Sequence, residues 1–313
     1  MIRPKMHSFT SHSSSDGLPS GAPEQVDELI DRILDSGSES AAVQRLSDLT
    51  RAGEARLRER WASVPEAERL FLVQLFAQDA DENLEHNYDR AMLVALDDPL
   101  SDTRLAALEG LAELESPAFL ELLLARIDRE EDERVRAAEA AALGRFALLA
   151  ELQQIEDSDT TRIQATLERL LEHDPSPEVR RRALESIAYI ADDENVVEHI
   201  QRAFDSDDHG MRVSAVHAMG RQSSPAWLDI VHDEMESEEP ELRFEAVTAA
   251  GMIGSERSVL DVIDLLRDED AEVRIAAIAA LGAIGGQTAM NTLRKLAEDD
   301  DLSTAEAAEI ALE

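Results

Sequence analysis

From Glu24 onward, apolar residues recur every three or four positions, the spacing of helices that bury one face. Val26, Leu29, Ile30 and Ile33 form the first stripe, and Gly37 follows its end. Val43, Leu46 and Leu49 continue the pattern, then Leu57 and Trp61. Pro65 stands where it can open a helix at its first turn, and that helix carries Leu70, Phe71, Leu75 and Phe76. Another holds Tyr88, Met92, Leu93 and Leu96 before Asp98-Pro99. Residues 24–99 are thus expected to be helical but too irregular to divide by period. Residues 1–23 are rich in Ser, Gly and Pro and lack apolar periodicity, so a disordered tail is expected there. Its His7 and His12 are read as bystanders and not as metal ligands.

Beyond residue 100 the pattern repeats. The segments TRLAALEGLAEL, VRAAEAAALGRF, VRRRALESIAYI, MRVSAVHAMGRQ, LRFEAVTAAGMI and VRIAAIAALGAI each open on an arginine. These are Arg104, Arg136, Arg180, Arg212, Arg243 and Arg274, separated by 32, 44, 32, 31 and 31 residues. Self-similarity near 30 residues marks a helical-hairpin repeat. Eight positions after each arginine stands a small residue: Ala112, Gly144, Ala188, Gly220, Gly251 and Gly282. A mid-helix glycine costs about 1 kcal/mol against alanine, so its recurrence predicts a close backbone approach. Partner helices are expected near 117–127, 193–204, 225–236 and 256–266. The long interval places an insertion near 147–160, and the final unit, with Ala305 in the arginine slot, reads as a cap.

The VRxxAxxALGxI pattern, preceded by an acidic turn bearing Pro or Asp, resembles the HEAT-like repeats of phycobilisome bilin lyases. The resemblance covers about two thirds of the chain and implies an all-α fold, an α-solenoid of helical hairpins running through residues 100–313. The irregular first third and the long interruption also resemble bacterial HEAT-repeat proteins of unassigned activity. The repeat family includes lyase subunits, an iron hydroxylase, DNA glycosylases and plain scaffolds, so the resemblance fixes no activity.

Charge narrows the choice. The chain carries 68 acidic and 30 basic residues, a net charge of −38, and its only lysines are Lys5 and Lys295. Such a field repels phosphate backbones and anionic bilayers, so neither nucleic acid nor membrane is expected as a partner. A protein or peptide with a basic surface fits better, and salt adaptation is a second account of the acidity. There is no cysteine, hence no thiolate chemistry. No apolar stretch is long enough to span a bilayer and the first residues lack the apolar core of a secretory signal, so a cytoplasmic protein is expected.

Candidate chemistry is sparse. The iron hydroxylase of the family has His-Glu dyads just after the repeat arginine; here those slots hold Leu105-Ala106, Ala137-Ala138, Arg181-Arg182, Val213-Ser214, Phe244-Glu245 and Ile275-Ala276, with no histidine. His86, His173, His199, His209, His217 and His232 lack ligand spacing, and the acidic runs lack the EF-hand pattern. No catalytic residue, metal site or cofactor is expected. The six arginines read as a structural ladder bonding acidic turns. With core positions at −1, +3, +4, +7 and +10 from each arginine, positions +2, +5 and +9 fall on the opposite face, lining the inside of the solenoid. That row supplies Arg145, Arg182, Glu185, Tyr189, His217, Arg221 and Met252 as candidate partner-binding residues. Arg, Tyr and Met are enriched in interface centres, although a mixed polar surface accounts for the same row. Toward the C-terminus it becomes Ala276, Ala279 and Ala283, a smooth patch suited to another helix. The expectation is a non-enzymatic scaffold with its partner in the concave groove; the alternative is a subunit or chaperone of a bilin-lyase-type enzyme.

Overall fold

A computed structural model describes residues 22–37, 40–191 and 193–313. The tail expected over 1–23, with His7 and His12, lies outside them except for Ala22, which is buried, and Pro23, which opens the first helix. The described residues form eighteen α-helices, three 3-10 turns and no strand. They divide into two compact units, one ending at Ser116 and the other running over Pro117–Glu313.

The first unit holds α1 (Pro23–Ser36), α2 (Ser40–Gln44), α3 (Arg51–Trp61), α4 (Glu66–Glu82), α5 (Asp89–Ala95) and α6 (Ser101–Gly110). Odd-numbered helices pack in succession, as do even-numbered ones, so this irregular stretch is also a stack of hairpins. Its core is Val26, Ile30, Ile33, Leu57, Leu72, Phe76 and Met92. Asp79 gathers the hydroxyl of Tyr88 at 2.7 Å, Nδ1 of His86 at 2.5 Å and the amide of Asn83 at 3.2 Å. Burial, reinforced by the Asp79 carboxylate, pushes the Tyr88 phenol far above its ordinary range.

The second unit holds α7 (Pro117–Arg126), α8 (Glu133–Glu151), α9 (Asp157–His173), α10 (Pro177–Ile187), α11 (Glu194–Phe204), α12 (His209–Gln222), α13 (Leu228–Met235), α14 (Pro240–Ile253), α15 (Val259–Asp264), α16 (Ala271–Ile284), α17 (Gly286–Leu296) and α18 (Leu302–Leu312). The even helices pack tightly one on the next, whereas successive odd helices touch little. The even helices are thus the more closely packed row of this stack, the row expected from the sequence to lie on the inside. Small residues permit this: a Cβ on Gly251 would lie 3.0 Å from the Cα of Ala280, and one on Gly282 would lie 2.7 Å from the carbonyl oxygen of Ala311.

The long interval holds no separate inserted element. Its extra residues lengthen α8 to 19 and α9 to 17 residues, against 11 for α10 and α11. Helix α9 buries Ile163, Leu167 and Leu170, a stripe that the expected partner helices do not include.

Candidate functional site

Each repeat arginine is the fourth residue of its helix, and the turn before it is built the same way. The residue six positions earlier is Asp98, Glu130, Asp174, Ser206, Ser237 or Asp268. Its side chain accepts the backbone N–H two residues on, at 2.8–3.3 Å, in all six turns. Its carbonyl accepts Nη1 of Arg104, Arg136, Arg180, Arg243 and Arg274 at 2.8–3.0 Å. Where an aspartate is present, its carboxylate also takes an arginine from the preceding even helix. Arg136 forks onto Asp174 at 2.9 and 3.0 Å, and Arg243 onto Asp268 at 2.7 and 2.8 Å. Arg212 has Ser237 ahead of it; it reaches Glu234 at 3.5 Å and lies over the Phe204 ring.

The first unit contains one further member that the repeat alignment passes over. Arg69, fourth residue of α4, donates from Nε to Asp98 at 2.6 Å and from Nη1 to the Val64 carbonyl at 2.9 Å. Trp61 donates to the same Asp98 carboxylate at 2.7 Å. Arg69 is the fourth residue of its helix like the other six, but Glu68 stands where five of them have an apolar residue and Arg104 has Thr103, which hides it in the pattern.

The candidate partner row lies along α8 to α16. Arg182 donates to Glu178 at 2.9 Å and to Glu185 at 2.8 Å, and Glu185 also accepts the hydroxyl of Ser214 from α12 at 2.7 Å. Arg221 donates to the Glu185 carbonyl at 3.0 Å and lies 4.6 Å from the centre of the Tyr189 ring, a cation–π arrangement. Burial works against the Arg182 charge, but Glu185 and Glu178 outweigh it and hold the guanidinium above its ordinary value. Arg182, Glu185, Tyr189 and Arg221 therefore form one network bridging α10 and α12. His217 stands apart from it, its Nδ1 2.8 Å from Glu245 on α14. Arg145 lies half-buried one helix earlier, on α8.

Met252 belongs to a different surface. It is 42% exposed and, with Phe244 and Thr248, forms one wall of a groove of about 680 Å³ between α14 and α16. The facing wall is Ile275, 38% exposed, with Ala276, Ala279 and Ala283. The inner row thus changes from a charged, internally bonded surface at α10–α12 to an apolar one at α14–α16.

The histidines are less scattered than their sequence positions suggest. His209 contacts Glu239 at 2.6 Å and Glu241 at 2.7 Å, and His232 contacts Ser258 at 2.8 Å. With His217–Glu245, three histidines of one hairpin meet polar partners of the next. The separations of 26 to 32 residues, about one repeat, were the available signal. His199 is buried on α11.

Comparison with known proteins agrees with this geometry. The sequence profile of HEAT repeats matches residues 163–233 and 228–313. Residues 163–313 are HEAT repeats. No curated protein matches the chain in sequence. Among solved structures, the CpcE–CpcF complex of phycocyanin lyase from Nostoc sp. PCC7120 is similar at 14% identity and TM-score 0.50, covering 83% of this chain and 93% of that one. The Escherichia coli protein YibA aligns at 17% identity and TM-score 0.42 over 83% and 96%. Kap95p, solved with RanGDP, aligns at 14% identity and TM-score 0.48 over 92% and 45%. At 14% identity the likeness to the lyase complex is one of fold alone, and with the helix order and the repeat profile the chain is an all-α solenoid of HEAT-like hairpins.

A HEAT array offers surfaces. Among the described residues no group of three or more His, Asp or Glu side chains is arranged to hold a metal ion. No described helix is long and apolar enough to cross a membrane. The row joins ion-paired side chains at α10–α12 to exposed apolar ones at α14–α16.

Proposed function

We propose that this chain is a cytoplasmic, non-enzymatic interaction scaffold that holds a protein or peptide partner along the inner row of α8 to α16. The observation that carries this reading is the apolar groove between α14 and α16 beside the Arg182–Tyr189–Arg221 network. Interfaces combine an apolar centre with Arg and Tyr anchors in this way. The net charge of −38 favours a partner with a basic surface and disfavours nucleic acid and anionic membranes. The repeat arginines serve as structural ties between turns. Simultaneous Arg182→Ala, Tyr189→Ala and Arg221→Ala substitution tests the reading by affinity capture and mass spectrometry. Loss of the captured partner with unchanged helical circular dichroism is expected; undiminished capture removes the network from the binding surface.

The alternative of a bilin-lyase-type subunit draws support from the fold likeness alone. It calls for a visible-band shift when the purified protein meets a tetrapyrrole and an acceptor protein, and an unchanged spectrum sets it aside.

A further inference from the structure

The groove between α14 and α16 restricts what can fill it. Ala276, Ala279 and Ala283 recur at three- and four-residue spacing and give the α16 wall a stretch without protruding side chains. Met252 on α14 and Ile275 on α16 stand exposed in the two walls. Two apolar walls, one of them smooth, match the apolar stripe of a helix, whose side chains at i, i+3, i+4 and i+7 enter a groove of this kind. Both bordering helices are 14 residues long, about 21 Å at 1.5 Å per residue, so four helical turns span the site.

Charge decides the remaining chemistry. Glu241 and Glu245 on α14 and exposed Glu272 on α16 stand on the helices that form the walls. Across residues 236–313 there are nineteen acidic and six basic residues, a net charge of −13. His209 and His217 contact Glu241 and Glu245. An acidic helix, or a second copy of a chain carrying −38, meets repulsion here.

We propose that this groove seats one amphipathic helix of a partner protein, apolar along one face and flanked by lysine or arginine. The proposal rests on the scaffold reading and names its partner class. The test is fluorescence anisotropy on the full chain with a labelled Leu/Lys model helix of about 14 residues. A scrambled peptide of the same composition and a Leu/Glu helix serve as comparisons. The Leu/Lys helix is expected to bind at least ~10-fold tighter than either, a gap of about 1.4 kcal/mol. Ala279→Arg, exposed on the α16 wall, and Met252→Lys, exposed on the α14 wall, are each expected to weaken it by ~10-fold or more with circular dichroism unchanged. Equal binding of the scrambled peptide reduces the interaction to diffuse charge and overturns the proposal. So does binding unaffected by both substitutions, or a peptide-free dimer in sedimentation that Ala279→Arg dissolves. If the model helix fails while the Arg182, Tyr189 and Arg221 substitutions still abolish partner capture, the groove assignment falls and the scaffold reading stands.

Discussion

A Cβ placed on Gly220 would lie 2.7 Å from the Cα of Ala249, inside any real Cβ contact distance. The two residues bring α12 and α14 together through backbone, and the neighbour cannot yield by rotating a side chain. Gly220→Ala gains about 1 kcal/mol of intrinsic helix propensity, yet must separate the two helices. Overpacking of this kind costs about 1–3 kcal/mol, so a net loss of stability is expected. A Cβ on Gly144 would lie 2.8 Å from the Ser186 hydroxyl, which can rotate away, and 3.1 and 3.3 Å from its Cβ and Cα, a milder clash than that of Gly220. Thermal unfolding should rank Gly220→Ala below Gly144→Ala; the reverse order would show that the α12–α14 spacing is not set by this contact.

The small residue eight positions after each arginine is legible in sequence, whereas the residue it packs against becomes visible only in the fold. That counterpart is the residue six positions after the next arginine: Ser186 for Gly144, Ala249 for Gly220 and Ala280 for Gly251. Helical period alone therefore placed the hairpins and the inner row. Two features escaped it. Helix α9 is not among the expected partner helices, although Ile163, Leu167 and Leu170, just beyond the insertion expected near 147–160, carry the helical spacing. The bonding of Glu185 to Ser214 and Arg221 depends on how closely α10 meets α12, a distance no local pattern contains. The exposed row was readable, whereas its division into a bonded network and an open groove was not.

The turn before α16 predicts a pH response. The Arg243 fork, with the Asp270 N–H and the Arg274 charge, holds the Asp268 carboxyl below its ordinary value against the opposing effect of burial. A folded-state pKa below the unfolded one adds stability above the unfolded value, and that stability is lost as pH falls through the folded value. Asp268→Asn retains the acceptor for the Asp270 N–H but loses the charge facing nearly buried Arg243. At neutral pH a loss of about 1–3 kcal/mol is expected, because Arg243 keeps its two carbonyl acceptors. Urea midpoints followed below about pH 5 should fall less steeply for the variant than for the parent chain. Parallel curves would deny the fork its electrostatic share.

Arg212 lacks the aspartate that Arg136 and Arg243 find at the next turn, because Ser237 occupies that place. Ser237→Asp preserves a side-chain acceptor for the Glu239 N–H and supplies a carboxylate to Arg212. The arginine is about one-third exposed, so solvent limits the gain to roughly 0.5 kcal/mol. A midpoint rise of about 1–2 °C is expected in 0.15 M salt, where repulsion from the added charge is screened. A lowered midpoint, or an equal rise on combining it with Arg212→Ala, would show that the new carboxylate does not act through this arginine.

Salt acts on the whole chain in two opposing ways. It screens the ion pairs, such as Arg162 with Glu121 and Arg257 with Asp229, and it also screens repulsion among carboxylates. Exposed pairs contribute about 0–1 kcal/mol each, and at most 30 of the 68 acidic residues can have a basic partner of their own. The 38 left over repel one another along a stack whose neighbouring turns are themselves acidic, so repulsion is the larger effect. Raising sodium chloride from about 10 mM to 0.5 M shortens the screening length from about 30 Å to less than 10 Å. The melting midpoint should therefore rise with salt across that range, and sodium sulfate should raise it further by favouring burial of apolar surface. A midpoint that stays constant in both salts would show that the acidic surface does not burden the fold, leaving partner recognition as the account of the charge.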